Sequence, residues 1–256
     1  MFRKTVAMSL LVGLLSSGVA INNASADSDV IGPSGDSMDD VYIPLEEQRQ
    51  NLLKDATSKE DEIRINERFD EHEALVKRIE SGISLFGSNT ESGSHSVPYF
   101  KQAYSYYCGP ATVKQTLQFI NGSSNTQDTI ASGIGTTTDG SNLANMVTYI
   151  NKNQSKHSYM VHSSPDEDLI RGIPEYAVRN GSPAILRLKI AKGGNWTYTS
   201  SGHYMNMSGY SNYGKSIRVT DPYIGWVNAS STGSYWVTSN EIYTATNNHF
   251  AKQIAY

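Results

Sequence analysis

The sequence predicts an α+β fold in which helices from the first half of a domain pack on a mainly antiparallel sheet from the second half. Three observations lead there. Helical periodicity comes first, in "CGPATVKQTLQFIN" (108–121) and "SNLANMVTYINKN" (141–153). Short alternating strands follow, in "SPAILRLKI", "HYMNMSGY", "SIRVTDP" and "GSYWV". Two of these, 203–210 and 216–221, are joined by "SNYGK", a loop of hairpin length that carries Gly214. Helices and then strands, without strict alternation, argue against a doubly wound parallel sheet.

The N-terminus reads as an export signal. Arg3 and Lys4 precede an apolar run from Thr5 to Leu15, and Ala24-Ser25-Ala26 is a small-x-small cleavage pattern. The run falls short of the ~20 residues of a membrane span. The expectation is a bacterial-type signal peptide cut after Ala26, a secreted mature chain and no stable membrane span. Residues 27–44 are acidic, with Gly and Pro and little periodicity, as in a linker. Residues 45–81 are charge-dense and free of Gly and Pro. Leu45, Leu52 and Ala56, then Ile65, Phe69, Val76 and Ile79, fall at helical spacing. They predict one long amphipathic helix, or two broken near Thr57-Ser58. The stripe is narrow, so this segment needs a partner surface. A Gly/Ser-rich linker is expected over 87–96.

The net charge of −4 hides an asymmetry. Residues 27–96 carry 17 acidic against seven basic side chains, and residues 97–256 carry eight against 12. The domain boundary is therefore expected at 97. The complementary charges suggest that 27–96 is an intramolecular pro-segment, docked by its acidic surface over the cleft of the domain at 97–256; a plain spacer is the simpler alternative.

Within the domain, "VPYFKQ" reads as extended. The helix at 108–121 opens around Gly109-Pro110, since Pro suits a first helical turn. Val113, Leu117 and Ile120 form its buried face, and Asn121-Gly122 ends it. Ser141 is the expected N-cap of the second helix. "SYMVHS" is a short strand. "SPDEDLIRGIPEYAVRNG" is a helix with an acidic first turn, bent or interrupted at Pro174. "SNEIYTAT" adds a last turn or two.

Cys108 is the only cysteine, which excludes an internal disulfide framework and leaves burial, intermolecular pairing or reactivity. It stands at a helix N-terminus, where main-chain N–H groups and the helix dipole stabilise a thiolate. Gln102, six residues upstream, offers a side-chain amide to an oxyanion, and the Cys108 N–H offers a second donor. Tyr104, Tyr106 and Tyr107 are candidates to wall such a site. A thiolate nucleophile needs an oriented imidazole. Of six histidines, His72 and His95 read as solvated, His157 and His249 as exposed, and His162 as an ordinary strand histidine. His203 differs. If 203–210 and 216–221 pair as a hairpin, their outer ends meet and His203 lies beside Asp221.

"VPYFKQ…YYCGPAT", "GHYMNMSGY" and "VTDPYIG" resemble, in order, three blocks of the C39-like cysteine peptidases of the papain-like superfamily. "SNLANMVTYIN" and "YWVTSNEI" resemble the segments that follow the first and last blocks. The resemblance covers about residues 97–250 and implies a papain-like fold. It implies Cys108 as nucleophile, His203 as general base, Asp221 as its orienting partner and Gln102 in the oxyanion hole. The best-known relatives are fused to bacteriocin exporters and cut leader peptides after a double glycine; the export signal here sets this chain apart from them, and their substrate is not carried over.

The expected activity is hydrolysis of peptide bonds through a thioester acyl-enzyme, with a peptide or protein substrate. Acyl transfer by the same intermediate is the second reading, and a secreted non-catalytic binding module the third. No cofactor and no metal are expected: "TTTDGSN" lacks the spaced carboxylates of a calcium loop, and there is no Cys/His cluster for zinc. The scattered basic excess does not suit nucleic acid.

Overall fold

The computed structural model describes residues 42–81 and 91–256; the signal peptide, most of the acidic linker and the stretch 82–90 lie outside the described residues. Two helices come first, α1 (Leu45–Asp55) and α2 (Lys59–Glu80). They break where expected, because the Ser58 side chain caps α2 by accepting from the Asp61 N–H.

The domain runs β1 (Gly93–Ser94), α3 (Cys108–Asn121), α4 (Gln127–Ile134), α5 (Leu143–Lys152), β2 (Val161–Ser163) and α6 (Glu167–Asn180). Then follow β3 (Ala184–Ile190), β4 (Ser200–Ser211), β5 (Ser216–Thr220), α7 (Ile224–Val227), β6 (Ser234–Thr238), α8 (Ser239–Asn248) and β7 (Gln253–Ala255). The strands form an antiparallel sheet in the order β2-β7-β3-β4-β5-β6, with β1 added to β4. The α+β expectation holds. Four details differ. The sheet is entered before residue 97, since Gly93 and Ser94 pair with Tyr210 and Gly209, so the Gly/Ser-rich stretch is not all linker. Asn142, not Ser141, caps α5, because its side chain accepts from the Asn145 N–H. Helix α6 runs through Pro174 uninterrupted. The short elements α4, β1, α7 and β7 had no clear periodic signature.

The sheet is covered on both faces. Leu169, Ile170 and Ile173 of α6 and Ile242 of α8 cluster with Leu186, Leu188, Met205, Met207, Ile217 and Val219. Val113, Leu117 and Ile120 of α3 cluster with Ile130, Ile134, Met146, Ile150, Ile185 and Tyr204. Burial of two apolar layers of this size is the main term holding such a domain together.

The α1–α2 hairpin docks on the β2–β7 edge. Gln48 satisfies both backbone groups of Val161, its Nε2 donating to the carbonyl at 2.9 Å and its Oε1 accepting from the N–H at 2.8 Å. A side-chain amide thus closes a strand edge that would otherwise be open. Ile65 and Phe69 pack with Met160, flanked by Leu45, Leu52 and Leu53. Arg68 donates to the Tyr256 carbonyl at 2.8 Å while its guanidinium lies 4.6 and 4.8 Å from the Tyr176 and Tyr256 rings. Between the described residues, charge complementarity adds little at this seam: Lys152 and Asp55 meet at 3.9 Å with both side chains more than 60% exposed. Nor is the hairpin seated over Cys108 and His203, because its edge of the sheet lies three strands from β4. His72, expected in solvent, is buried at this seam with Nδ1 2.7 Å from the Tyr256 hydroxyl.

Candidate active site

Cys108 opens α3. The helix can start there because Tyr107 turns the chain and Gly109 admits Ser141: a Cβ at Gly109 would collide with the Ser141 hydroxyl. Helix α3 is keyed to β4 by polar contacts. The Thr112 hydroxyl donates to the Tyr204 carbonyl at 3.1 Å, and Thr116 Oγ1 donates to Asn206 Oδ1 at 2.9 Å. Four residues of helix advance about 6 Å, and two residues of strand advance about 6.7 Å. One further turn toward the helix N-terminus therefore brings Cys108 level with Gly202 and His203. The match of helical and strand rise sets the first turn of α3 beside the start of β4.

The hairpin expected from the sequence forms. β4 and β5 pair from Asn206–Thr220 to Ser211–Ser216, with a bulge between Met207 and Gly209. At its outer end His203 Nε2 lies 2.8 Å from Asp221 Oδ1. Both side chains are fully buried. The Nε2–H tautomer, which donates to the carboxylate, leaves Nδ1 as the remaining ring nitrogen. It is buried, with no hydrogen-bond partner among the described residues.

Asp221 is unusually well satisfied. Oδ1 accepts from His203 Nε2 and from the Tyr223 N–H at 2.8 Å. Oδ2 accepts from the Tyr198 hydroxyl at 2.7 Å and the Tyr235 hydroxyl at 2.8 Å. Burial raises the carboxyl pKa, but the His203 charge and hydrogen bond, with the Tyr198 and Tyr223 donors, outweigh it and hold Asp221 below its ordinary value. The site therefore keeps an anion beside His203 in a dry environment. Neither Tyr198 nor Tyr235 stood out in the sequence as part of the site. Tyr198 lies in the loop between β3 and β4, where no periodicity points inward. Tyr235 is opposite Val219 in the β5–β6 register, two residues from the position facing Asp221.

Gln102 is brought to the same place. Its N–H donates to the Pro222 carbonyl at 3.0 Å, and Trp226 Nε1 donates to its carbonyl at 3.0 Å. Its side chain is buried, but the amide does not point to a vacant oxyanion position. Nε2 donates to the Tyr104 carbonyl at 2.8 Å and the Ser105 carbonyl at 2.9 Å. Both amide hydrogens are thus committed to the loop 103–107, and Oε1 is buried with no partner among the described residues. The three loop tyrosines pack on one another, Tyr104 stacked on Tyr106 at 5.7 Å and edge-on to Tyr107 at 4.8 Å. Cys108, His203 and Asp221 are each 0% exposed and Gln102 is 1% exposed. The four residues are thus buried, and the side chain read from sequence as the oxyanion donor is tied to the aromatic loop that leads into Cys108.

The remaining histidines are elsewhere. His162 belongs to β2 with His72 5.1 Å away, ring to ring, and His95 contacts the Ala177 carbonyl at 3.0 Å. His249, expected to be exposed, is buried after α8. Among the described residues no group of three or more His, Cys, Asp or Glu side chains suits a metal ion, and no helix is long and apolar enough to cross a membrane. A cavity of about 540 Å³ opens at the hairpin seam, lined by α1, α2, α5 and the segment 154–161.

Comparison with known proteins gives three findings. The model of the Peptidase_C39 like family matches residues 94–249. None of the curated proteins compared matches the chain. Similar solved structures include a double glycine motif protease from an AMS/PCAT transporter, in complex with its leader peptide. It is 18% identical, covering 64% of this chain and 91% of that one with a TM-score of 0.42. They also include the peptidase domain of Streptococcus ComA, a bi-functional ABC transporter, 14% identical over 62% and 96% of the two chains with a TM-score of 0.44. A ragweed pollen cysteine protease in its proform is 11% identical over 66% of each chain with a TM-score of 0.46.

Proposed function

This chain belongs to the Peptidase_C39 like family, and from that premise we propose that it hydrolyses peptide bonds with Cys108 as nucleophile, His203 as general acid and base, Asp221 as the orienting carboxylate and Gln102 as an oxyanion donor. The observation that supports this reading is the fully buried His203–Asp221 pair at 2.8 Å, near the start of β4. An imidazole held by its Nε2 on a buried carboxylate has one free nitrogen and one use for it: proton exchange with a neighbouring nucleophile.

Substrate first displaces the loop 103–107. That releases at least one Gln102 amide hydrogen and uncovers Cys108. His203 Nδ1 takes the thiol proton, giving a thiolate at the N-terminus of α3, where the helix dipole favours it. The thiolate attacks the scissile carbonyl carbon, and the oxyanion is held by the Gln102 amide and the Cys108 main-chain N–H. The imidazolium protonates the leaving amine as the C–N bond breaks, leaving a thioester. Water, deprotonated by His203, hydrolyses the thioester and restores the thiol.

The export signal at 1–26 gives the proposed location, outside the cytoplasm, with a mature chain beginning at Asp27. Residues 27–96 act in this reading as an intramolecular segment whose helices brace the β2–β7 edge; the barrier over Cys108 is the loop 103–107.

Incubating the purified chain with a mixed peptide library in H₂¹⁸O tests the reaction. New peptide C-termini carrying ¹⁸O, absent with Cys108→Ala, are the expected result. New ends without ¹⁸O, joined to an amine, would turn the reading to acyl transfer. Cleavage that survives Cys108→Ala would end the thiol mechanism.

A further inference from the structure

The reaction above depends on Asp221 staying ionised and His203 staying in one orientation inside a site that water does not reach. Burial alone would oppose the first, because a carboxylate taken out of water gains a proton more readily. Among the described residues, main-chain support is limited to the Tyr223 N–H. Two further donors come from outside the hairpin. Tyr198, in the loop before β4, is fully buried, and its hydroxyl lies 2.7 Å from Asp221 Oδ2. Tyr235, on β6, reaches the same oxygen at 2.8 Å. The Tyr198 ring also stands edge-on to the His203 ring, 5.8 Å between centroids and 86° between planes. One tyrosine therefore contacts both members of the pair.

We propose that Tyr198 and Tyr235 are positioning residues of this catalytic centre, clamping the outer oxygen of Asp221 so that the carboxylate stays charged and aimed at His203. The proposal rests on the peptidase reading. The two hydroxyls have the right protonation for this role. Burial first, then the Asp221 charge, raises both phenols well above their ordinary value, so they are neutral donors at every working pH. With all four acceptor positions of Asp221 filled, the carboxylate cannot rotate without breaking a bond on each oxygen. Its negative charge is shared over four donors, which makes it a poor acceptor of the His203 proton. Tyr198 adds a wall that limits tilting of the imidazole. Neither residue touches the reacting atoms.

The test uses the full chain and one reporter, alkylation of the single thiol by iodoacetamide, followed by intact mass from pH 4 to 9. The proteins are wild type, His203→Ala, Tyr198→Phe, Tyr235→Phe and the double Phe variant, each also melted thermally. Without its two hydroxyl donors the buried carboxylate takes a proton at higher pH, and the charged pair is then lost on the acid side. The double variant should move the acid limb of labelling upward by about one pH unit or more, as expected for donors to a charged group. Each single variant should move it by less. A tyrosine that serves only packing would lower the melting temperature and leave the limb where it was. A limb within ~0.2 units of wild type in the double variant, with the His203 dependence of wild type intact, overturns the clamp alone. A wild-type profile indifferent to His203→Ala overturns the peptidase reading, and the clamp with it.

Discussion

At the scale of single residues, Asp221 and Gln102 make opposite demands. Asp221 accepts from four donors, so Asp221→Asn turns one accepting atom into a donor facing other donors. Each buried donor left without an acceptor costs about 1–3 kcal/mol. The variant should melt several degrees lower and cleave its best library peptide roughly 10²–10⁴-fold more slowly, the scale at which losing an orienting carboxylate disables a triad. Thermal melting and initial rates read the two effects separately. The same carboxyl carries a pH dependence. Its folded pKa is below the ordinary 3.8, so its contribution to stability is complete above that value and is lost as pH falls below it. The Gln102 amide donates to two carbonyls of the loop 103–107, so Gln102→Ala should loosen that loop. Iodoacetamide should then reach Cys108 faster, while peptide hydrolysis falls by about 10²-fold for want of an oxyanion donor. A variant slower in both would show that the loop is not the barrier. The pair His203–Asp221 was legible in the sequence because hairpin pairing is a local rule. The tyrosine clamp was not, because it joins a loop and two strands through tertiary contact.

At the scale of elements, the α1–α2 hairpin is seated by apolar packing and a buried histidine. The stripe read from Ile65, Phe69, Val76 and Ile79 was correct in phase. Arg68 and His72 lie close to it and are buried too; His72 read as solvated because of its polarity, but Tyr256 and Tyr176 supply partners for both at the seam. Short elements such as α4 and β7 were invisible because eight and three residues give too little periodicity. Phe69→Ala should weaken docking by about 3–5 kcal/mol. Asp55→Asn should change it little, since the Lys152 pair is exposed. Hydrogen exchange over 45–80 compares them. Burial first, then neighbouring positive charge, depresses His72 to about 3, and burial depresses His162 to about 4, against an ordinary 6.5. From α2 the group is faced by Arg68, and Glu71 bonds the Tyr176 hydroxyl nearby; β2 supplies His162, α6 Tyr176, and Tyr256 follows β7, while Asp166 acts on His162. A depressed histidine stabilises docking above pH 6.5 and opposes it below. Exchange over α2 should therefore rise as pH falls from 7 to 5, by on the order of tenfold per histidine, and His72→Gln should flatten the rise.

At the scale of the whole molecule, two devices act at two ends of one sheet. The hairpin closes the β2–β7 edge, and in the proposed function the loop 103–107 is the barrier at the site beside β4 and β5. Charge asymmetry along the sequence suggested that the first would cover the second; strand order separates them. Loosening the hairpin with Phe69→Ala should thus lower thermal stability without speeding alkylation of Cys108. The central claim is that Cys108 is an activated thiol paired with His203. The most direct measurement is the pH dependence of iodoacetamide alkylation of the wild-type chain beside His203→Ala. An ordinary thiol reacts only as pH nears ~8.5. Labelling that persists at pH 5–6 and disappears in the variant is the expected result. Labelling that rises only near pH 8.5, equally in both proteins, would contradict it and leave Cys108 as a packing residue of α3.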